Sequence, residues 1–222
     1  MTIPMLDMKE WPAPVPLDVP YSEKDEAKAL GACWNPAGKG WFAAASNIEA
    51  LQRWKALPGL SDILPGEDRS FGSGLFVDLI PRSCWFTNVR SCVPDREWER
   101  IKRMVTKRAD NLCEACGAAP DLQSGRMLQV HERWEFDDVT TTQRLKRLIC
   151  LCTGCHNVTH FGLTSVRGLG DRAISHLMAV QRWTQGQAED HITAAFSIWH
   201  ERNLRVWTLD ISLITDAGVA VL

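Results

Sequence analysis

Four of the eight cysteines are arranged as two Cys-x-x-Cys pairs, a spacing that could hold a metal ion. The first pair is Cys113 and Cys116, and the second is Cys152 and Cys155. A tight turn aims both sulfur atoms of such a pair at one point, so two pairs complete a tetrahedral site of four thiolates. Gly117 directly after the first pair is typical of the turn in a zinc knuckle. The sequence therefore predicts one structural Zn²⁺ ion bound by these four cysteines.

Three other chemistries are open to the same thiols. A Cys-x-x-Cys pair can be a redox pair, four thiolates can hold an iron–sulfur cluster, and the string from Cys152 to His156 matches the attachment site of c-type haem. We prefer zinc because the two pairs occur together and because haem attachment requires export. The other cysteines are interpreted as ordinary buried or half-buried thiols: Cys33, Cys84, Cys92 and Cys150.

The N-terminus and the composition indicate a reducing compartment. Residues 1–20 carry acids and prolines instead of a basic start and an apolar stretch, so they do not form a signal peptide. The chain is 45% hydrophobic and 23% charged, and no apolar run reaches the length of a membrane span. A cytoplasmic location without membrane contact is expected, in which cysteines bind metals more often than they form disulfides.

Three histidines lie close in sequence to the cysteine pairs and predict a second site. His156 and His160 are four residues apart, so on a helix both imidazoles would project from one face and could hold one metal ion. His131 lies between the cysteine pairs, in the strand-like segment LQVHERWEF. A single histidine is more often structural than catalytic, but three around a zinc knuckle favour a site.

Residues 95–162 carry a resemblance to a known enzyme family. The segments EWERIKRMVTKRADNLCEACG, LQVHERWEF and LKRLICLCTGCHNVTHFG are similar to those of HNH (ββα-metal) endonucleases with two zinc-binding Cys pairs. The resemblance implies a treble-clef zinc domain in which His131 activates water while His156 and His160 bind a second metal. It implies hydrolysis of DNA phosphodiesters assisted by a divalent cation such as Mg²⁺, Mn²⁺ or Ni²⁺.

The sequence departs from the family pattern at three places, one of which is that the run 131–138 looks like a motif of its own. The family usually has an acid or a histidine immediately before the strand histidine, where this chain has Val130, so Glu132 or Asp137 would have to substitute. The family's central asparagine has no counterpart in residues 140–147. The alternative function is therefore a non-catalytic zinc module that binds DNA or a protein on a degenerate nuclease scaffold.

A second resemblance covers the N-terminal part. The run LDVPYSEKDEAKALGACWNPAGKGWF, within residues 17–55, resembles a small domain found on plasmid-encoded primases and other mobile-element proteins. This resemblance implies a setting in DNA metabolism but no reaction. Most of the three tryptophans Trp34, Trp41 and Trp54 are expected to pack as a miniature core, and stacking of an exposed tryptophan on a base is the alternative.

The charge distribution is consistent with DNA as the partner. The net charge is −2, yet residues 82–172 hold more Lys and Arg than Asp and Glu. Four basic residues on a predicted helix over 94–109 are candidates to contact phosphates, although a solvated face is the simpler interpretation. These are Lys102, Arg103, Lys107 and Arg108. Aromatic residues near the C-terminus leave a protein partner or a homo-oligomer open.

The predicted fold class is α+β, with a small N-terminal α+β module and C-terminal helices around the zinc domain. The predicted domains are an extended lead-in (1–16), the small module (17–56), a linker (57–75) and the HNH-like zinc domain with its helical extension (76–222). The other expected elements are a hairpin near 34–42, helices over 21–30, 47–55, 171–183 and 188–203, strands over 75–80 and 206–214, and a loop over 163–170.

Overall fold

The chain has a mixed α/β fold made of two compact units. The computed structural model describes residues 14–121, 123, 125 and 127–222. One unit ends at Pro58, and the other comprises Gly59–Leu222. Among the described residues, no helix is both long enough and apolar enough to cross a membrane.

The first unit is a three-stranded antiparallel sheet with one helix. Its elements are β1 (Val15–Leu17), α1 (Lys24–Ala29), β2 (Cys33–Asn35) and β3 (Gly40–Ala43). The strand order is β1-β3-β2, and the predicted hairpin is confirmed as the β2–β3 pair. The side chain of Asn35 shapes its turn by accepting hydrogen bonds from the backbone N–H groups of Ala37 and Gly38. The lead-in expected over 1–16 lies mostly outside the described residues, and its last two residues belong to β1.

The helix expected over 47–55 is replaced by two 3₁₀ turns, Ala45–Asn47 and Gln52–Trp54. The backbone N–H of Trp54 donates to the carbonyl of Leu51, three residues earlier, which is the bond of a 3₁₀ turn. Leu51 and Trp54 still point into one core, at 0% and 2% exposure. Trp41 packs against that core, whereas Trp34 is 47% exposed.

The second unit holds both candidate sites and is built around a long hairpin. Its elements are α2 (Val89–Cys92), α3 (Asp95–Arg108), β4 (Gln129–Asp137), β5 (Thr142–Leu151), α4 (Thr153–Thr159), α5 (Phe161–Val166), α6 (Gly170–Gln181), α7 (Gln185–Arg202), β6 (Thr208–Asp210) and α8 (Ser212–Thr215). The strand order is β4-β5-β6, with β4 and β5 antiparallel and β6 parallel to β5. Strand β4 therefore forms one edge of this sheet.

The β4–β5 hairpin separates two hydrophobic cores, because alternate side chains of a strand point to opposite faces. Val130 and Leu148 belong to the core that includes α3 residues such as Ile101. Ile149 and Leu151 belong to the other core, with side chains of α4, α6 and α7. His131 pairs with Ile149 in the antiparallel register, so it lies on the face that carries α4.

Residues 75–80 do not form the expected strand. The segment is apolar and its side chains are mostly buried, but its backbone bonds go elsewhere. The N–H of Val77 donates to Nε2 of His191 at 3.0 Å, and the N–H of Asp78 donates to the carbonyl of Thr159 at 3.1 Å. Most of the apolar side chains are buried, but the hydrogen-bond partners of the backbone are helical residues and not a neighbouring strand.

Helices α3, α6 and α7 were expected and are confirmed within a few residues of the predicted ends. Two C-terminal expectations were wrong. The loop expected over 163–170 contains most of α5, and the strand expected over 206–214 is limited to β6 and followed by α8. The side chain of Asp210 accepts from the N–H of Ser212 at 3.0 Å, which favours a helical turn where the alternating pattern predicted more strand.

The residues expected to form a linker, 57–75, lie in the second unit from Gly59 onward. Leu64 is 1% exposed and packs in the α3 core. The carboxylate of Glu67 receives two hydrogen bonds of 2.6 Å from Arg108 of α3, and both side chains are buried. Pro65, Gly66 and Gly72, which suggested a linker, lie in turns of this unit.

Candidate metal centres

The four cysteines predicted as zinc ligands form one cluster. The sulfur atoms of Cys113, Cys116, Cys152 and Cys155 all lie within 4.8 Å of one another. All eight cysteines lie in the described part of the chain, and none forms a disulfide. The structure therefore confirms a four-thiol site that could hold a metal ion such as zinc.

The first pair lies in a tight turn fixed by the backbone. The N–H of Gly117 donates to the carbonyl of Cys113 at 2.8 Å, and the N–H of Cys113 donates to the carbonyl of Ala118 at 2.9 Å. Gly117 has φ +73°, a left-handed conformation that glycine adopts without strain. The carboxylate of Glu114 anchors the turn to β5 by accepting from the N–H of Cys150 at 2.7 Å and from Arg147 at 2.8 Å.

The second pair is positioned by the start of α4. Cys152 is the N-cap of this helix, and its Sγ accepts from the N–H of Cys155 at 3.5 Å. Burial raises the pKa of the Cys116 thiol to about 11, so the thiol stays protonated at neutral pH unless a cation compensates the thiolate charge. Four clustered sulfur donors satisfy the tetrahedral preference of Zn²⁺, which displaces these protons on binding.

A histidine that the sequence reasoning missed also touches the cysteine site. Nε2 of His176, on α6, lies 3.2 Å from Sγ of Cys155. Gly154 makes this approach possible, because a Cβ at that position would lie 2.8 Å from the His176 ring. The spacing of the cysteines contains no signal for this contact, since α6 is a separate element that follows the second pair.

The three histidines predicted as a second site also come together. Imidazole nitrogens of His131, His156 and His160 all lie within 4.8 Å of one another. His131 is 2% exposed, and its buried Nε2 has no hydrogen-bond partner among the described residues. A buried nitrogen without a partner is costly unless it binds something, and an imidazole lone pair can bind a metal ion or accept a proton.

Both elements that carry these histidines follow the predicted geometry. His156 lies on α4, and His160 ends it with a backbone hydrogen bond of 3.0 Å to the carbonyl of His156. The i, i+4 spacing therefore places both rings on the face toward β4, with 4.5 Å between ring centroids. The His131 ring meets them edge-on from β4, with its centroid 4.7 Å from that of His160.

The electrostatics of the cluster keep the imidazoles neutral. Burial lowers the pKa of His131 well below its usual value and lowers that of His156 to about 4, with neighbouring histidine and arginine charges acting in the same direction. Burial also lowers the pKa of His160, against which the carboxylate of Asp78 acts in the opposite sense. Neutral imidazoles with free lone pairs are the form that binds metal ions and accepts protons.

The acid expected beside His131 does not come from the predicted substitutes. Val130 points into the α3 core, on the opposite face of the strand. Glu132 shares that face and accepts from the N–H of Val89 at 3.1 Å, while Asp137 accepts from the N–H of Val139 in the turn of the hairpin. Neither joins the histidine cluster.

The structure supplies a different carboxylate, that of Asp78. It is 8% exposed and pairs with Arg202 at 3.2 Å, and it lies close enough to His160 to act on its pKa. Sequence reasoning missed Asp78 because the segment around it was expected to be a strand and lies far from the histidines along the chain.

Arg133 lies on the same strand as His131 and is fully buried at 0% exposure. Its guanidinium stacks on Phe76 at 4.2 Å and donates to the carbonyl of Gly74 at 3.3 Å. Its Nε and Nη1 have no hydrogen-bond partner among the described residues. Its charge lowers the pKa of the histidines, and the charges of Asp78 and Cys155 in turn partly offset the fall in its own pKa to about 10, which is caused by burial.

A cavity of about 1130 Å³ opens beside the histidine cluster. His131, His156 and His160 line one part of it, and the cavity continues around the edge strand β4 to α3. Pockets for small molecules measure about 300–1,000 Å³, so this cavity could accept a larger ligand.

The four basic residues predicted on α3 are not equivalent. Lys102 lines the cavity and pairs with Glu99, whereas Arg103 and Lys107 are exposed. The side chain of Arg108 is 1% exposed and is committed to Glu67 and to the carbonyl of Leu148. Arg108 therefore cannot contact a phosphate in this structure.

The comparisons with known proteins concern only the first unit. A family model described as a domain of unknown function, DUF5710, matches residues 15–56. No curated protein and no solved structure matches the chain. The matched family thus covers the sheet β1-β3-β2, and both candidate metal centres lie outside it.

Proposed function

We propose that the second unit is a metal-dependent nuclease of the HNH type that hydrolyses phosphodiester bonds of DNA. The observation that carries this proposal is the buried Nε2 of His131, which has no hydrogen-bond partner among the described residues, in a ring that contacts those of His156 and His160. A knuckle, a hairpin and a following helix present these side chains, which is the arrangement that the resemblance of residues 95–162 implies. The four cysteines would bind a structural zinc ion and take no part in the reaction.

Each residue has a distinct role in this mechanism. His156 and His160 would hold a divalent cation, which when bound neutralises charge on the scissile phosphate. His131 is neutral and would take a proton from water at Nε2 as the water oxygen attacks phosphorus. The bond from phosphorus to the leaving sugar oxygen would break in the same step, and that oxygen would take a proton from solvent. The guanidinium of Arg133 would keep a positive charge near the histidine cluster. Lys102, which lines the cavity, would face the DNA strand.

The alternative function is a zinc module that binds DNA or a protein without cleaving it. One observation favours it: Val130 is part of the hydrophobic core, so the position that usually carries an acidic or histidine ligand has no ligand. The metal ion would then have only His156 and His160 as protein ligands, with His131 as the base, or a water molecule would have to complete its coordination. A missing ligand weakens the positioning of the metal ion, and this lowers the rate of cleavage more than it lowers the stability of the fold.

A plasmid-nicking assay with Mg²⁺, Mn²⁺ or Ni²⁺ tests the proposal. The wild type is expected to cleave, and His131→Ala is expected to lose about 10²- to 10⁴-fold in rate because the general base is gone. The double variant His156→Ala/His160→Ala is expected to lose cleavage together with the second metal. His200→Ala is the matched control, because His200 is exposed on α7, outside both sites.

Metal content of the same variants separates the roles. His131→Ala should keep both metals if His131 is the base, and it should lose one if His131 is a ligand. Equal cleavage by the wild type and His131→Ala would remove His131 from the mechanism. No cleavage with any of the three metals, together with one zinc per chain, would favour the zinc module.

A further inference from the structure

The cavity beside the histidine cluster is lined by a buried amide side chain whose polar atoms make no hydrogen bond to the described residues. Gln143 lines this cavity from β5 and is 1% exposed. Neither its amide oxygen nor its amide nitrogen has a hydrogen-bond partner among the described residues. Burying an amide without partners costs free energy, so the arrangement is stable only if a ligand or ordered water satisfies it.

The amide of Gln143 has a specific recognition capacity. It presents one acceptor and two donor hydrogens side by side, and this pattern matches the edge of a nucleobase. Trp98 and Trp134 also line the cavity and supply apolar walls. Flat aromatic walls around a donor–acceptor pair are a common design of pockets for planar heterocycles.

Two adjacent aromatic side chains that line the cavity are exposed to solvent. Trp85 is 56% exposed and Phe86 is 86% exposed, and both line the cavity. The indole N–H of Trp85 donates to the carbonyl of Ile80 at 2.9 Å. This hydrogen bond fixes one edge of the ring, while much of the side chain remains exposed to solvent. Exposed large aromatic groups are costly in water, and bases of single strands stack on such faces.

The charges around the cavity fit a polyanion. Arg82, Arg90 and Lys102 line it, and the two arginines are exposed. Of the acids that line it, Asp78 is paired with Arg202 and Glu132 is buried at 9% exposure. The exposed charge at the mouth is therefore positive, which favours a phosphate backbone over an acidic or neutral surface.

We propose that this cavity binds a single nucleic-acid strand and takes one unpaired nucleobase, which stacks at Trp85 and Phe86 or enters to meet the amide of Gln143. The inference deepens the proposed function, on which it rests, by naming the substrate class of the same site. A paired base is excluded because its edge and its stacking faces are occupied in a duplex. The phosphate next to the bound base would lie toward the histidine cluster, which lines the same cavity.

The test measures binding of labelled oligonucleotides to the full zinc-loaded chain carrying His131→Ala, so that the strand is not cut. Four probes are compared at one salt concentration: single-stranded DNA, single-stranded RNA and the matching duplex of each. Single strands are expected to bind at least tenfold more tightly than duplexes. The DNA and RNA arms identify the sugar that the site accepts.

Two variants test the residues that carry the inference. Trp85→Ala/Phe86→Ala is expected to weaken single-strand binding by about 10- to 100-fold, because each stacking contact is lost. Gln143→Leu keeps the size of the side chain and is expected to weaken binding by about tenfold. Its melting temperature should not fall, because the Gln143 amide makes no hydrogen bond to another described residue that the substitution would remove. Leu204→Ala is the control for the aromatic variant. Leu204 is 84% exposed, close to the 86% of Phe86, and it does not line the cavity.

The results separate this inference from the proposed function. Equal binding of single strands and duplexes, or unchanged binding by both variants, overturns the inference, and cleavage of duplex plasmid by the wild type would still support the nuclease. Preferential single-strand binding that both variants weaken supports the inference, even if no metal gives cleavage and the nuclease proposal fails.

Discussion

Glu132 is a buried carboxyl group that forms no ion pair with any of the described residues. Burial raises its pKa to about 7 from the usual 4.5, against the smaller effect of hydrogen bonds from the backbone. The folded protein therefore holds a proton on this group across a pH range in which the unfolded chain has released it. Such a group lowers stability as the pH rises through that range.

We predict that Glu132→Gln removes this pH dependence. The glutamine keeps an oxygen to accept from the N–H of Val89 but carries no charge. Between about pH 4.5 and pH 7 the wild type should lose stability relative to the variant, by at most about 3 kcal/mol, and the difference should be constant above that range. Urea unfolding of both proteins at several pH values measures it, and a difference that does not change with pH would contradict the raised pKa.

At the residue scale, the sequence predicted which candidate metal ligands come together better than it predicted the other residues around them. The cysteine pairs and the His156/His160 pair were found because their spacing is local and a turn or a helix converts it directly into geometry. Gln143 and Asp78 were missed as site residues because nothing local marks them. Their roles depend on which strand pairs with which, and on where an irregular segment passes.

At the element scale, the segment from Gly59 to Leu75 is held to α3 by a charge pair. Glu67 and Arg108 are both buried, and Glu67 also accepts from the N–H groups of Leu64 and Leu148. Removing one partner of a buried ion pair leaves the other charge uncompensated. The pair therefore fixes the segment more firmly than its prolines and glycines suggest.

Arg108→Ala is expected to lower the free energy of unfolding by about 3–5 kcal/mol. Lys107→Ala on the same helix is the matched control and should change it by less than about 0.5 kcal/mol, because Lys107 is exposed. Urea unfolding in the presence of zinc measures both. A small loss in the arginine variant, accompanied by weaker DNA binding, would return Arg108 to the role that its sequence position suggested.

Elements with their own periodic pattern were predicted well, and elements defined by their partners were not. Helix α3 has early acids, late bases and an apolar stripe, and it was predicted within a residue or two. The run 75–80 has an apolar composition that suits a buried strand equally well. Only the hydrogen bonds to His191 and Thr159 decide that it is irregular.

On the scale of the whole molecule, the two units have separate cores. Leu51 and Trp54 belong to the core of the first unit, and both candidate metal centres lie in the second unit. A bound metal ion stabilises only the unit that contains its ligands.

We predict that a zinc chelator opens the second unit and leaves the first intact. Amide hydrogen exchange should accelerate strongly around Cys113–Gly117 and Cys152–His156, since the turns there lose the ion that their thiolates surround. Exchange in β1, β3 and α1 should not change. Acceleration in both units would show that the first depends on the second, and no acceleration in either would argue against structural zinc.

The close contact of Gly154 with His176 also constrains how the sequence can change over time. Every amino acid that a single base change can introduce in place of glycine has a Cβ atom, and that atom would meet the imidazole ring at 2.8 Å. A residue other than glycine at position 154 would therefore require the His176 ring to move, or a smaller side chain at position 176. This contact makes the residues tolerated in the second cysteine pair depend on α6, although the two are separate elements of the fold.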